Sequence, residues 1–312
     1  MTLPITLLID DGGPINPMHY VHPMVNCEFI VPNAFTEEFA DLCAAYGVRG
    51  KFSVMPMPTE LGRLDRRLNY VPQEHLEGFL KIAREKIAPL FDITPEILTH
   101  ACAYNLKTGG THHVFEDIWF QSASLEEMTD YIALALRILK NVGLPANGVT
   151  SPWSTGITNE TTYAEAIGRA QWRVHRRKFT WYFLHCFGPD GMRWPWITWQ
   201  SKTTGQKVVT VATGTGDFCW STQGQPSRRA ARQAASKAAD TYLSRDGRSG
   251  AVREMFDRGV PIALLTHWQS LFSDGRAAGL HALEMVLKRV GKTFGDQIEW
   301  VTCSKLARAA LK

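Results

Sequence analysis

Short apolar runs alternate along this chain with segments whose apolar residues recur every three to four positions, the pattern of strands followed by amphipathic helices. The first run, Ile5 to Ile9, ends in the turn sequence Asp10-Asp11-Gly12-Gly13-Pro14. A helix is predicted from about Phe35 to Tyr46, with Phe39, Leu42 and Cys43 on one face and Gly47 as its stop. A second strand, Lys51 to Val54, runs up to Pro56 and Pro58. A helix follows over about Gln73 to Ala88, and Ile97-Leu98-Thr99 reads as a third strand. Ser124 opens the clearest helix. Glu127 stands in capping-box register, and Tyr131, Leu134, Ala135, Ile138 and Leu139 make an apolar stripe closed by Gly143. Gly148-Val149-Thr150 is the next strand, leading into Ser151-Pro152-Trp153, and Thr158 or Asn159 caps a helix to about Arg169. Strands near Tyr182 to Phe187 and Val208 to Ala212 precede a long Ala/Arg-rich helix over about Ser227 to Leu243. A strand from Pro261 to Thr266, a helix from Arg276 to Val290, a strand from Ile298 to Val301 and a last helix capped by Ser304 complete the pattern.

Strands alternating with helices imply a mainly parallel sheet with crossover helices. No Pro/Gly/Ser-rich linker and no repeat of fixed period interrupts it, so residues 1–312 read as a single domain. The stretches Asn16 to Val31 and Asn105 to Ser122 exceed plain connections, and long loops in compact domains tend to be functional. Hydrophobic residues at 45% supply a large core, and a net charge of +4 is small for 312 residues. The basic group Arg228, Arg229, Arg232 and Lys237 lies at helical spacing among alanines and reads as a solvated face, so no nucleic-acid partner is expected. Six cysteines without a C-x-x-C pair exclude zinc-finger and redox motifs and fit buried free thiols in a reduced compartment. The N-terminus enters a strand at once and no apolar run spans a bilayer, so the expectation is a cytoplasmic protein with no membrane partner. There is no G-x-S-x-G elbow, Walker loop or dinucleotide fingerprint, and no organic cofactor is expected.

In parallel α/β folds ligands bind beyond the carboxyl ends of strands. Asp10 and Asp11 stand after the first strand, His100 after the third, Pro152-Trp153 after the fourth, and His267 after the Pro261 strand, with Asp217 beyond the Val208 strand. Carboxylates and imidazoles recurring at one edge are the inventory of metal-assisted or general acid–base hydrolysis. Asp-Asp-Gly-Gly-Pro is also a good turn on its own, and His100 or His267 alone reads equally as a satisfied core histidine. The recurrence at matching strand ends is what favours chemistry.

The motifs, in this order, resemble those of the polysaccharide-deacetylase family (NodB-like, carbohydrate esterase 4-type), over Thr6 to about Leu306. Ile9-Asp10-Asp11-Gly12 looks like its first motif and Lys51-Phe52-Ser53-Val54 like its second strand. Glu96-Ile97-Leu98-Thr99-His100 resembles the segment with its first metal-binding histidine, Ser151-Pro152-Trp153 its Pro-aromatic motif, and Leu264-Leu265-Thr266-His267 its late histidine strand. The resemblance implies a distorted NodB-like (β/α)7 barrel, a TIM-like barrel of mainly parallel strands with crossover helices. It implies Asp10 as general base, Asp11 and His100 as ligands of a divalent metal such as zinc, His267 as general acid and Asp217 as the acid's orienting partner. The chain departs from the pattern twice: Tyr104 stands where the family places a second histidine, and Thr150-Ser151 where it commonly has arginine. A third metal ligand is therefore sought at His22, Asn105 or His112-His113.

The implied reaction is attack of water on the acyl carbonyl of an N- or O-acylated sugar, with a small carbohydrate or oligosaccharide as partner and a homo-oligomer as a further expectation. Tyr104, Asn105, Trp153, Trp220 and Trp268 are the candidate substrate contacts, since aromatic faces stack on sugar rings as well as filling cores. Two other readings stay open. One is a glycoside hydrolase using two carboxylates among Asp10, Asp11, Glu96 and Asp217. The other is a non-catalytic sugar-binding barrel, which the two departures would explain.

Overall fold

The computed structural model describes residues 2–19, 28–58, 61–186 and 189–312. Its strands are β1 (Leu3–Gly12), β2 (Gly50–Val54), β3 (Phe91–Pro95), β4 (Cys102–Tyr104), β5 (Thr111–Phe115), β6 (Gly148–Thr150), β7 (Phe179–His185), β8 (Trp196–Gln200), β9 (Lys207–Thr213), β10 (Ile262–His267) and β11 (Ile298–Trp300). Its helices are α1 (Asn33–Ala45), α2 (Gln73–Ile82), α3 (Glu116–Ser122), α4 (Leu125–Asn141), α5 (Glu160–His175), α6 (Arg228–Tyr242), α7 (Ala251–Asp257), α8 (Trp268–Phe272), α9 (Ala278–Phe294) and α10 (Cys303–Ala307).

β10, β1, β2 and β3 pair in parallel in that order, and β11 joins the first residues of β1. β6, β7 and β9 form a second parallel set, with β8 antiparallel on the far edge of β9. The sets meet at two seams. A parallel bridge links Glu96 to Thr150, and the hydroxyls of Thr213 and Thr215 reach the Ala263 carbonyl. The seven parallel strands β1, β2, β3, β6, β7, β9 and β10 thus curve into a distorted barrel, with β8 holding the edge where β9 and β10 would otherwise pair. Buried on both faces, these strands read as continuous apolar runs, as in Leu7-Leu8-Ile9 and Trp181-Tyr182-Phe183.

Local chemistry explains the elements. Ser124 accepts from Glu127 N–H and Glu127 reaches back to Ser124, so α4 begins with the expected capping box. Ser227 caps α6 in the same way. Three expectations are corrected. The third strand is Phe91–Pro95, not 97–99, where Ile97 and His100 have φ of 40° and 50° and cannot continue a strand. The stretch from Asn105 to Ser122 is not a plain loop but carries the β4–β5 hairpin and α3. Thr302, not Ser304, caps α10 by accepting from Lys305 N–H. No helix among the described residues is long and apolar enough to cross a membrane.

Candidate active site

At the carboxyl end of the barrel the first strand breaks its own rule. Consecutive strand residues face opposite sides, yet Asp10 and Asp11 both belong to the mouth. The β1–β2 register shifts between Ile9 and Gly12, and Asp11 adopts φ 64°, so a bulge re-aims the second carboxylate. Ile97, His100 and Trp153 are also left-handed without being glycine. Such strained residues, each costing about 1–3 kcal/mol, cluster where the surroundings over-determine them.

Asp10 is fully buried. Its Oδ1 is paired with the buried ammonium of Lys51, which also lies 4.4 Å over the Phe183 ring, and its Oδ2 stands 3.0 Å from His185 Nε2. Burial pushes the Asp10 carboxyl up, but Lys51 and His185 together hold it well below the usual range. Asp11 takes 2.7 Å from Gln269 Nε2 on Oδ2 and has His100 Nε2 at 2.8 Å from Oδ1. Against burial, that imidazole lowers its pKa to about 2. Glu96 Oε2 accepts the Asp11 N–H at 2.6 Å and the Ser53 hydroxyl, while Oε1 lies 3.8 Å from His100 Nε2. Burial and the two aspartates raise Glu96 to about 8. His100, despite burial, is raised to about 9 by Asp11.

His267 closes β10. Its Nδ1–H donates to Asp217 Oδ2 at 3.0 Å, and Asp217 is itself fixed by Ser270 Oγ and by Cys219 N–H at 2.7 Å. Burial lowers its pKa, but Asp217 and the paired aspartates lift it to about 10, so the ring carries its proton at neutral pH. The cavity between these groups has a volume of about 500 Å³, with Trp153 and Trp220 among its walls. Trp153 packs 4.4 Å from the His100 ring and Trp220, 42% exposed, 5.7 Å from the His267 ring.

The 97–100 segment that presents His100 is held by one residue the sequence did not flag. Glu116, fully buried, accepts the N–H groups of Thr99 and His100 at 2.8 Å, that of Leu98 at 3.3 Å and the Tyr131 hydroxyl at 2.6 Å. Removing it strands several buried donors at about 1–3 kcal/mol each. Glu116→Ala is therefore expected to lower unfolding stability by about 3 kcal/mol or more in urea titration, with Glu116→Gln intermediate.

Asp11, His100, Trp153, Asp217, Trp220 and His267 thus share one cavity, with Asp10 behind it. Other candidates do not. Trp268 is fully buried, its ring 5.1–5.3 Å from those of Phe35, Phe39 and Phe52, and it donates Nε1–H to the Gly13 carbonyl. It is core, not a sugar platform, because α8 starts directly after His267 and turns the next side chain inward. Tyr104 lines a separate cavity beside the hairpin, and Asn105 caps that hairpin's turn by accepting from Lys107 and Thr108 N–H. His112 and His113 lie on the exposed strand β5, His112 against Trp119. His22 lies outside the described residues. Glu96, His185, Lys51 and Gln269 complete the site instead. Of these, Glu96 and His185 carried a signal, a carboxylate and an imidazole near strand ends.

The donor set was tested against the divalent metal that the fold relatives imply. Asp11 Oδ1 is buried and accepts no hydrogen bond, although His100 Nε2 is 2.8 Å away. The two atoms stand side by side, as neighbouring ligands of one ion do. Donor atoms of Asp11, Glu96 and His100 all lie within 4.8 Å of one another. An oxygen–oxygen–nitrogen trio open to a cavity suits zinc or a similar cation with a free position. Glu96 thus occupies the place in the trio that Tyr104 leaves vacant.

No family model and no curated protein matches the chain. Among solved structures, a Mycobacterium smegmatis protein described as a polysaccharide deacetylase aligns over 89% of this chain and 77% of its own, with 14% identity and a TM-score of 0.51. A Parabacteroides distasonis protein described as a glycoside hydrolase/deacetylase aligns over 98% of this chain and 70% of its own, with 12% identity and a TM-score of 0.56. At such identity the likeness concerns the fold. The seven-stranded mainly parallel barrel is the NodB-like one that the motif order implies.

Proposed function

We propose that the protein hydrolyses the acyl group of an N- or O-acylated sugar. The observation that carries the reading is the opposition of two sets across one cavity: the Asp217-held His267 on one wall, and the Asp11–Glu96–His100 trio on another. The first set is a proton donor at neutral pH, and the second is a cation pocket. A divalent ion held by Asp11, Glu96 and His100 would polarise the acyl carbonyl and lower the pKa of bound water. His267 holds a proton on Nε2, the nitrogen that Asp217 leaves free, and delivers it to the departing amine or alcohol. Gln269 fixes Asp11, and Glu116 fixes the backbone that carries His100. Trp153 and Trp220 offer aromatic faces at the walls, suited to the apolar face of a sugar ring.

The test is acetate release from N-acetylglucosamine oligomers and from O-acetylated sugars, followed enzymatically beside a reducing-sugar assay. Acetate without new reducing ends supports the reading, and new reducing ends without acetate replace it with glycoside hydrolysis. His267→Gln is expected to lower kcat on the N-acetyl substrate by about 10²–10⁴-fold, the contribution of one general acid. The same variant is expected to spare 4-nitrophenyl acetate, whose leaving group departs as a stable anion.

A further inference from the structure

We infer that His185 is the base that takes the proton of the attacking water, with Asp10 as its positioning residue; this rests on the acyl-hydrolase reading above. Asp10 is sealed. Its side chain is 0% exposed, its two oxygens face Lys51 and His185, and it is absent from the cavity wall that His185 and His267 share. A carboxylate in that position cannot touch a water in the cavity, but it can act on the imidazole in front of it.

His185 ends β7, and its Nδ1–H donates to the Ser151 carbonyl at 2.9 Å. A neutral imidazole has one N–H, so this bond leaves the lone pair on Nε2, beside the cavity. Asp10 Oδ2 lies 3.0 Å from Nε2 yet accepts no hydrogen bond. The carboxylate therefore flanks the lone pair without occupying it. Once a proton arrives, that same charge stabilises the imidazolium. Lys51 on the other oxygen keeps Asp10 ionised throughout.

The His185 and His267 rings are nearly parallel, 13° apart, with centroids at 6.3 Å, and the donor atoms of Asp10, His185 and His267 lie within 4.8 Å of one another. One water bridges such a gap. In the step, an O–H bond of water breaks and its proton goes to His185 Nε2, while the oxygen bonds to the acyl carbon. The C–N or C–O bond then breaks, and the leaving atom takes the proton of His267 Nε2. The products are a carboxylic acid and an amine or alcohol. A proton relayed from His185 to His267 resets the pair, so no external acid or base is consumed.

The experiment uses 4-nitrophenyl acetate, which needs a base for its water but no acid for its leaving group. His185→Ala and His185→Asn are compared with wild type, His267→Ala and Asp10→Asn, with thermal midpoints and metal content measured on each. His185→Asn keeps a donor for the Ser151 carbonyl and so guards against simple misfolding. Both His185 variants are expected to lose about 10²–10⁴-fold in kcat/KM, while His267→Ala keeps most of this activity. Added imidazole is expected to restore activity to His185→Ala in proportion to its concentration, which a structural role would not allow. The rising limb of the wild-type pH profile should vanish in both His185 variants and shift in Asp10→Asn. The charged groups facing the ring are Asp10 and Asp11 from β1, Lys51 from β2, His267 from β10, and Glu96, His100 and Asp217 from the loops.

Wild-type rates in a folded His185→Asn, or no imidazole rescue of a folded His185→Ala, would overturn the inference. So would metal lost with His185, which would make it a ligand with Asp10 and His267. A wild type that releases no acyl group from any probe sinks the acyl-hydrolase reading itself, and this inference with it.

Discussion

After loading with zinc and dialysis, the chain is expected to hold about one divalent ion per molecule by elemental mass spectrometry, and Asp11→Ala to hold none. The expectation rests on the buried Asp11 Oδ1, which faces no hydrogen-bond donor although His100 Nε2 is 2.8 Å away. Acyl hydrolysis by Asp11→Ala should fall about a thousandfold, since the ion is asked for several kcal/mol of carbonyl polarisation. Glu96→Gln should weaken metal binding, whereas Tyr104→Phe should leave it unchanged, because Tyr104 lines a different cavity. The pH dependence has a definite sign. His100 is protonated below about 9 and Glu96 below about 8, so each must release a proton before it can bind an ion. Affinity is expected to rise from pH 6 towards pH 9 and then level off. Isothermal titration at several pH values reads this directly, and a flat profile would remove both residues from the ligand set.

The strand-end rule made Asp10, Asp11 and His267 legible, because each directly follows an apolar run whose type and position the structure keeps. It missed His185 through a boundary error of two residues. A strand read as running to Phe187 puts His185 inside it, whereas β7 stops at His185 and so presents the imidazole at the mouth. His100 was found by its neighbours rather than by its element. The true strand, Phe91-Asp92-Ile93-Thr94-Pro95, carries an aspartate and a proline that break the apolar pattern, while Ile97-Leu98-Thr99 imitates a strand but is a strained loop. Glu116 gave no signal, because only the folded chain reveals that its carboxylate is buried against three backbone N–H groups. The same limit applies to Trp268: a tryptophan after a catalytic-looking histidine reads as a platform until α8 turns it into the aromatic core.

The largest stability effect is expected at Lys51, a lysine with no exposed surface. Its ammonium meets Asp10 Oδ1, the Ile9 carbonyl at 3.4 Å and the Phe183 ring, so it is satisfied on every side by elements of the barrel. Removing one partner of a buried pair leaves an uncompensated charge, and Lys51→Met should cost about 3–5 kcal/mol. The cost should be conditional on Asp10. In Lys51→Met/Asp10→Asn the stranded charge is gone, so the double variant should recover much of the loss, because a buried pair replaced on both sides is near neutral. Acid should act in the same direction. The wild-type Asp10 carboxyl is held below the usual range, so its contribution is complete above about pH 4 and disappears as pH falls towards its lowered folded value. Without Lys51, burial is opposed only by the histidines, the carboxyl takes up its proton at higher pH, and the variant sheds its penalty earlier. The stability gap between wild type and Lys51→Met should therefore narrow as urea unfolding is moved from pH 7 down to pH 4. A gap that stays constant with pH, or a double variant no more stable than Lys51→Met, would show that Lys51 stabilises the barrel by packing rather than by holding the charge of Asp10.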